Sequence, residues 1–267
     1  MKTKPQILLT NDDGILSPGL WAAAESLSAL GYVHVVAPRD QSTGMGRSMP
    51  NTSNGIIETQ EVTVGGKTWT VYAVGGTPAQ AVQHGILEVM PERPKLVVSG
   101  INYGENLGTG ITISGTVGAA LEAAALGIPG LAMSLEMDAA HHLSYSNEVD
   151  FSASAYFTAY FARLLLERQL PTDVDVLKVD VPATATPDTE WVITRLARKR
   201  YFEATAPQRG SWSEPGRPGY RRSAELETFD RDSDVFAVLS RRLVSVTPVS
   251  LDMTSRVDLS AFHRLLR

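Results

Sequence analysis

The feature that most constrains this fold is its opening alternation of apolar run, helix and apolar run. Ile7-Leu8-Leu9-Thr10 runs apolar up to the polar turn Asn11-Asp12-Asp13-Gly14, as expected of a buried strand. Ser17-Pro18 then supplies an N-cap and a first-turn proline. The helix they open carries Trp21, Leu27 and Leu30 and should stop near Gly31. Val33-His34-Val35-Val36-Ala37 is a second strand. Strand, helix and strand within about 30 residues make a βαβ unit, whose crossover connection requires the two strands to run parallel.

The alternation continues along the chain. Val62-Thr63-Val64, Gly65-Gly66 and Thr68 to Val74 read as a hairpin with a glycine turn. Thr77-Pro78 opens a helix through Val82, Ile86 and Val89, and Lys95 to Val98 is a short buried strand. Thr116 to Leu126 is an alanine-rich helix stopped by Gly127 and Pro129, and a strand follows from Gly130 to Leu135. The aromatic stripe on the long helix Val149 to Leu170 (Phe151, Tyr156, Phe157, Tyr160, Phe161) reads as core packing. Asp175 to Val181 is again a strand. The texture then changes: Arg195 to Arg231 is rich in Arg, Gly, Pro and Ser, and reads as a long hairpin or protruding loop. A strand at Leu243 to Val246 and a short helix at Leu259 to Leu266 close the chain. The expected fold is α/β: a Rossmann-like, mostly parallel sheet with helices on both faces and a protruding C-terminal arm. The expected division is a catalytic core over residues 1–182 and a C-terminal region over 183–267, with residues 195–231 protruding before the chain returns to the core.

Composition narrows the chemistry. The net charge is −5, which argues against a nucleic-acid polymer as partner but leaves room for a small anion beside a bound metal. There is no cysteine, so disulfides, thiolate metal sites and cysteine catalysis are excluded. No apolar run reaches the length of a membrane span, and the N-terminus carries no signal-peptide pattern. The expected location is the cytoplasm.

In open α/β sheets ligands bind beyond the carboxyl ends of the strands, so the residues following each strand are the place to look. After the first strand come Asn11 to Gly14, after the second Pro38 to Gly44, and after Lys95 to Val98 the run Ser99 to Asn106 and a Gly/Ser/Thr loop reaching Thr116. All are rich in oxygen. Asp-Asp-Gly alone equally suits a capped turn. Adjacent aspartates repel unless a positive charge lies beside them, and a hard divalent cation is the simplest partner. Asp12, Asp13, the Ser42 hydroxyl and the Asn102 amide oxygen make a fitting oxygen set for Mg²⁺ or Mn²⁺. With only five histidines, a poly-His zinc site is disfavoured, and His141-His142 reads as an exposed loop. Gly108 to Thr116 leads straight into a helix and could cradle a phosphate on its backbone N–H groups, though a tight turn explains it as well. It is neither a Walker A loop nor a dinucleotide fingerprint, and Gly-x-Ser-x-Gly is absent.

These residues, taken in order, resemble the SurE family, the survival protein E nucleotidases. The resemblance rests on Ile7 to Gly19, Val36 to Gly44, Gly76 to Ala79, Val97 to Gly108, Ser114 to Thr116 and Val244 to Pro248, which together span nearly the whole chain. It implies a metal-dependent phosphatase of 5′- or 3′-nucleoside monophosphates, with some members taking short polyphosphate. It implies one divalent ion per subunit held by Asp12, Asp13, Ser42 and Asn102, with Asp12 and Asp13 as the catalytic pair. It further implies phosphate contacts at Asn106, Ser114, Gly115 and Thr116; Asn11 and Gly44 complete the expected substrate-binding set. Homodimers or homotetramers formed through the C-terminal region are implied too. Two departures stand out: Arg39-Asp40-Gln41-Ser42-Thr43-Gly44 replaces the usual Asp-Arg-Glu-Gln-Ser-Gly, and Gln80 stands where the family has aspartate. The non-enzymatic alternative is a nucleotide sensor that binds without turnover.

Overall fold

The computed structural model describes residues 4–138 and 148–267; His141 and His142 lie outside them. One sheet organises the chain. Its strands are β1 (Gln6–Thr10), β2 (Tyr32–Pro38), β3 (Ile57–Val64), β4 (Lys67–Val74), β5 (Leu96–Tyr103), β6 (Gly130–Leu135), β7 (Val176–Val181), β8 (Trp191–Ile193) and β11 (Val244–Val249). They lie in the order β3-β4-β2-β1-β5-β6-β7-β11-β8. The pairings are parallel except where β3 meets β4 and where β11 meets β7. A second, antiparallel pair, β9 (Phe202–Thr205) with β10 (Gly219–Arg222), makes the hairpin of the 195–231 excursion.

Helices cover both faces. The helices α1 (Pro18–Leu27) and α4 (Ser152–Glu167) pack on one face, where Leu20, Leu27, Phe157 and Phe161 meet Ile7, Leu9, Val98 and Met133. On the other face, α2 (Pro78–His84) and α3 (Gly115–Ala125) cover Leu8, Val36 and Val97. The strand residues of each set alternate along their strands, as period-two burial of a doubly covered sheet demands. A final helix, α5 (Leu259–Leu265), lies exposed.

The chain moves from β1 outward to β2 and later returns on the other side of β1 as β5. The space between the carboxyl ends of β1 and β5 is therefore the topological switch point, where doubly wound sheets bind ligands.

Most element ends differ from the sequence reading by a few residues, and three differences bear on the fold. The second helix keeps α geometry only to His84 and passes into a π turn over Gly85–Val89, closed by Met90 N–H to Gly85 O at 2.9 Å. A side chain at Gly85 would press on Leu8 at 2.9 Å, so this turn packs directly on the sheet. The fifth strand extends through Asn102 to Tyr103, past a register irregularity between Ser99 and Asn102. Gly100 permits this: its φ is +130°, and a Cβ there would lie 2.3 Å from Met133 O. Asn102 thus sits on a strand rather than in a loop. Strand β8, pairing parallel with β11 at the sheet edge, was not evident in the sequence.

Candidate active site

Every strand end at the switch point is laced to the next. Asn11 closes the first turn by itself: its Nδ2 donates to Gly14 O at 3.1 Å and its Oδ1 accepts from Gly14 N–H at 3.2 Å. Gly14 has φ +103°, a conformation that side chains rarely adopt, so the turn needs glycine there. Asn11 is fully buried and its amide is engaged in shaping this turn.

That turn presents Asp12 and Asp13, both buried. Asp12 faces α3. Thr116 Oγ1 donates to Asp12 Oδ1 at 2.5 Å, and the backbone N–H groups of Gly115 and Thr116 add to this support. A Cβ on Gly115 would lie 2.6 Å from Asp12 Cβ and 2.8 Å from Oδ2, so glycine is what lets the carboxylate approach the helix end. A helix N-terminus favours a negative charge. Asp13 faces β5, where Tyr103 N–H donates to Oδ2 at 3.1 Å, with a further hydrogen bond from the Gln41 side chain. Burial raises the Asp12 carboxyl above the usual range against those hydrogen bonds. Burial, then the charge of Asp12, raises Asp13 well above it.

Ser42 joins from the second loop. Its N–H donates to Asp12 O at 2.7 Å, and its hydroxyl donates to Asp40 O at 3.1 Å, leaving the oxygen's lone pairs available. Asn102 donates its Nδ2 to Gly104 O at 2.7 Å, so its Oδ1 is the end suited to a cation. Among the described residues no group of three His, Cys, Asp or Glu could hold a metal. These residues offer two carboxylates, one hydroxyl and one amide oxygen, a hard donor chemistry that fits a divalent cation such as Mg²⁺ or Mn²⁺.

The phosphate-side residues form a second group. Ser114 caps α3, its Oγ accepting from Val117 N–H at 3.1 Å. Asn106 lies over the ends of β6 and β7, with its Nδ2 donating to Ser134 Oγ at 2.8 Å. Gly44 stands exposed, with open space where a side chain would be. Gly46 N–H donates to Ile113 O at 2.9 Å, so the second loop is pinned beside the N-terminus of α3. Gln80, the departure from the family's aspartate, completes a capping box with Thr77 and donates its Nε2 to Pro50 O at 3.0 Å.

The sequence reading missed several neighbours. Gln41 and Tyr103 act on Asp13 as described. Glu105, between Asn102 and Asn106, is buried and lies 3.0 Å from Arg222 of the hairpin. Burial pushes its carboxyl up to about 7, with Arg222 pulling it back. Lys178, Asp180 and Asp234 form a fully buried ion cluster beneath Asn106. The signal for it was present as Lys-x-Asp inside a strand otherwise read as apolar.

An open α/β sheet carrying two buried carboxylates and a capped helix N-terminus at its switch point has the make-up of an α/β enzyme's anion-binding site. The family model of survival protein SurE matches residues 7–203. The chain is 46% identical over 262 residues to 5′-nucleotidase SurE of Thermococcus gammatolerans, covering 98% of this chain and 96% of that protein. It is 43% identical over 266 residues to 5′-nucleotidase SurE of Thermococcus kodakarensis, covering 98% of each. The crystal structure of SurE protein from Aquifex aeolicus superposes with a TM-score of 0.74 at 32% identity, covering 98% of this chain and all of that one. The chain belongs to the SurE family.

Proposed function

We propose that this protein is a divalent-metal-dependent phosphomonoesterase that hydrolyses nucleoside monophosphates, with one Mg²⁺ or Mn²⁺ held by Asp12, Asp13, Ser42 and Asn102. The observation that carries the reading is the burial of two adjacent carboxylates at the switch point, in a turn tied to Ser42 through Asp12 O and to β5 through Tyr103 N–H. Relatives at 43–46% identity named 5′-nucleotidase SurE support the substrate class. When bound, the cation supplies charge neutralisation at the phosphoryl oxygens and makes water more acidic.

The chain's own residues supply the rest. Thr116 fixes the orientation of Asp12, and Tyr103 N–H and Gln41 fix that of Asp13. One of this pair takes the proton from the attacking water. The hydroxyl proton of Ser114 is free to point at phosphate, because its oxygen already accepts from Val117 N–H. Ser114 and the second Nδ2 proton of Asn106 are donors for the side where charge develops on the transferring phosphoryl group, while Gly115 and Thr116 act there through Asp12.

Assembly into a homodimer or homotetramer through the C-terminal region belongs to the same proposal. Exposed apolar residues support it: Trp212 in the excursion, and Leu259, Phe262, Leu265 and Leu266 on and after α5. A cytoplasmic location belongs to the same proposal; no helix of the described residues is long and apolar enough to cross a membrane.

The test is a substrate panel of 5′- and 3′-nucleotides with chelated protein, adding one metal at a time. Phosphate release restored by Mg²⁺ or Mn²⁺ is expected. Absence of release with either metal across pH would overturn the proposal.

A further inference from the structure

Asn106 is held at both backbone polar groups and through its side-chain nitrogen by other parts of the fold. Its N–H donates to Asp180 Oδ1 at 2.7 Å, its carbonyl accepts from Lys178 Nζ at 2.8 Å, and its side chain reaches Ser134. Lys178 and Asp180 stand two apart on β7 and so share one face of the sheet. Lys178 Nζ also bonds Asp180 Oδ2 and lies 3.2 Å from Asp234 Oδ2. Asp234 in turn accepts from Gly108 N–H at 2.9 Å, Ala197 N–H at 3.0 Å and Val235 N–H at 2.9 Å. All three charged side chains are fully buried.

Stability is a poor explanation for this cluster. Burying ions costs several kcal/mol apiece, and well-packed apolar residues often serve as well or better. What an apolar replacement could not do is hold the backbone of residues 106–108. The loop leaves the sheet after β5 and has no strand partner there, so its N–H and C=O groups need side chains to fix them.

We infer that Lys178, Asp180 and Asp234 are positioning residues: they fix Asn106 and Gly108 on the phosphate side of the site and tie the root of the C-terminal excursion, at Ala197 and Asp234, to the same loop. The inference rests on the reading of Asn106 as a phosphate contact.

Two double variants separate positioning from folding. Lys178→Met with Asp180→Leu removes both bonds to the Asn106 backbone. Lys178→Gln with Asp180→Asn is equally uncharged as a pair but keeps a donor and an acceptor at those places. The apolar pair is expected to raise KM for AMP and lower kcat/KM by about 100-fold, the scale of a displacement near 1 Å. Its Mn²⁺ affinity, set at Asp12, Asp13, Ser42 and Asn102, none of which bonds the cluster, should not change. The amide pair should recover kcat/KM to within about tenfold of wild type. A folded apolar pair with wild-type kinetics, or an amide pair as impaired as the apolar one, would overturn the inference. Should the apolar pair not fold, hydrogen exchange on the wild-type protein decides: the Asn106 and Gly108 amides should exchange as slowly as those of β7, and exchange at exposed-loop rates would refute the positioning role. The two readings fail separately. A wild-type protein that neither releases phosphate nor binds orthophosphate sinks the proposed function, while the exchange measurement still judges the cluster.

Discussion

Replacing Gly115 by alanine should lower activity about 100-fold at a modest cost in stability. Gly115 opens α3 in helical geometry, so alanine is acceptable to the backbone there. The difficulty is Asp12, whose Cβ would stand 2.6 Å and whose Oδ2 would stand 2.8 Å from the new methyl group. Ordinary contacts between such atoms are about 3.5–4.0 Å, so roughly 1 Å must open between α3 and the first turn. Asp12 cannot yield alone, because its carbonyl is held by Ser42 N–H and its Oδ1 by Thr116. Overpacking of this kind costs about 1–3 kcal/mol, offset by up to about 1 kcal/mol from alanine's better helix propensity. A 1 Å displacement of a catalytic group costs about 100-fold in rate. Phosphate release from AMP at saturating Mn²⁺, with urea unfolding in parallel, reads both quantities. A Gly115→Ala protein of full stability and activity within about threefold of wild type would refute the role given to this contact.

Other consequences follow from the same geometry. Glu105 in the folded protein holds a proton up to about 7, whereas its unperturbed value is 4.5. Between those values the unfolded chain binds fewer protons, so stability present at acid pH is lost as pH rises through this window, by at most about 3 kcal/mol. Urea midpoints near pH 5 and above pH 7 should show that slope, and Glu105→Gln should flatten it; an unchanged slope in the variant would assign it elsewhere. Mn²⁺ should stabilise the chelated protein. At about 100 times its Kd the gain is about 2.7 kcal/mol, or roughly 5–10 °C in Tm for a chain of this size. No shift in a thermal melt would count against the metal site. Thr116→Val, which keeps shape and removes the hydroxyl that orients Asp12, should lower kcat by about tenfold or more while leaving the fold intact. Wild-type kcat in that variant would show that Asp12 needs no such support.

The alternation of strand and helix was legible because period-two and period-3.6 patterns survive in a sheet covered on both faces. Asp12, Asp13, Ser42 and Asn102 were legible as oxygen donors following apolar runs. What escaped depended on contacts between distant residues. The extension of β5 to Tyr103 relies on Gly100 approaching Met133 across the sheet. The edge strand β8 is short and flanked by polar residues, so it carries no period of its own. The bonds between the Asn11 amide and Gly14 that shape the first turn are a structural role that its position after a strand does not reveal. The cluster of Lys178, Asp180 and Asp234 joins residues 56 positions apart, a pairing that local pattern cannot express.

The most direct test of the whole account is phosphate release from AMP by chelated protein, with Mn²⁺ restored, for wild type, Asp12→Asn and Asp13→Asn. Both substitutions keep size and neutralise a buried carboxylate, so the fold should persist by circular dichroism. The account predicts metal-dependent turnover in the wild type and its loss, with weakened Mn²⁺ binding, in each variant. Turnover retained by both folded variants would contradict it.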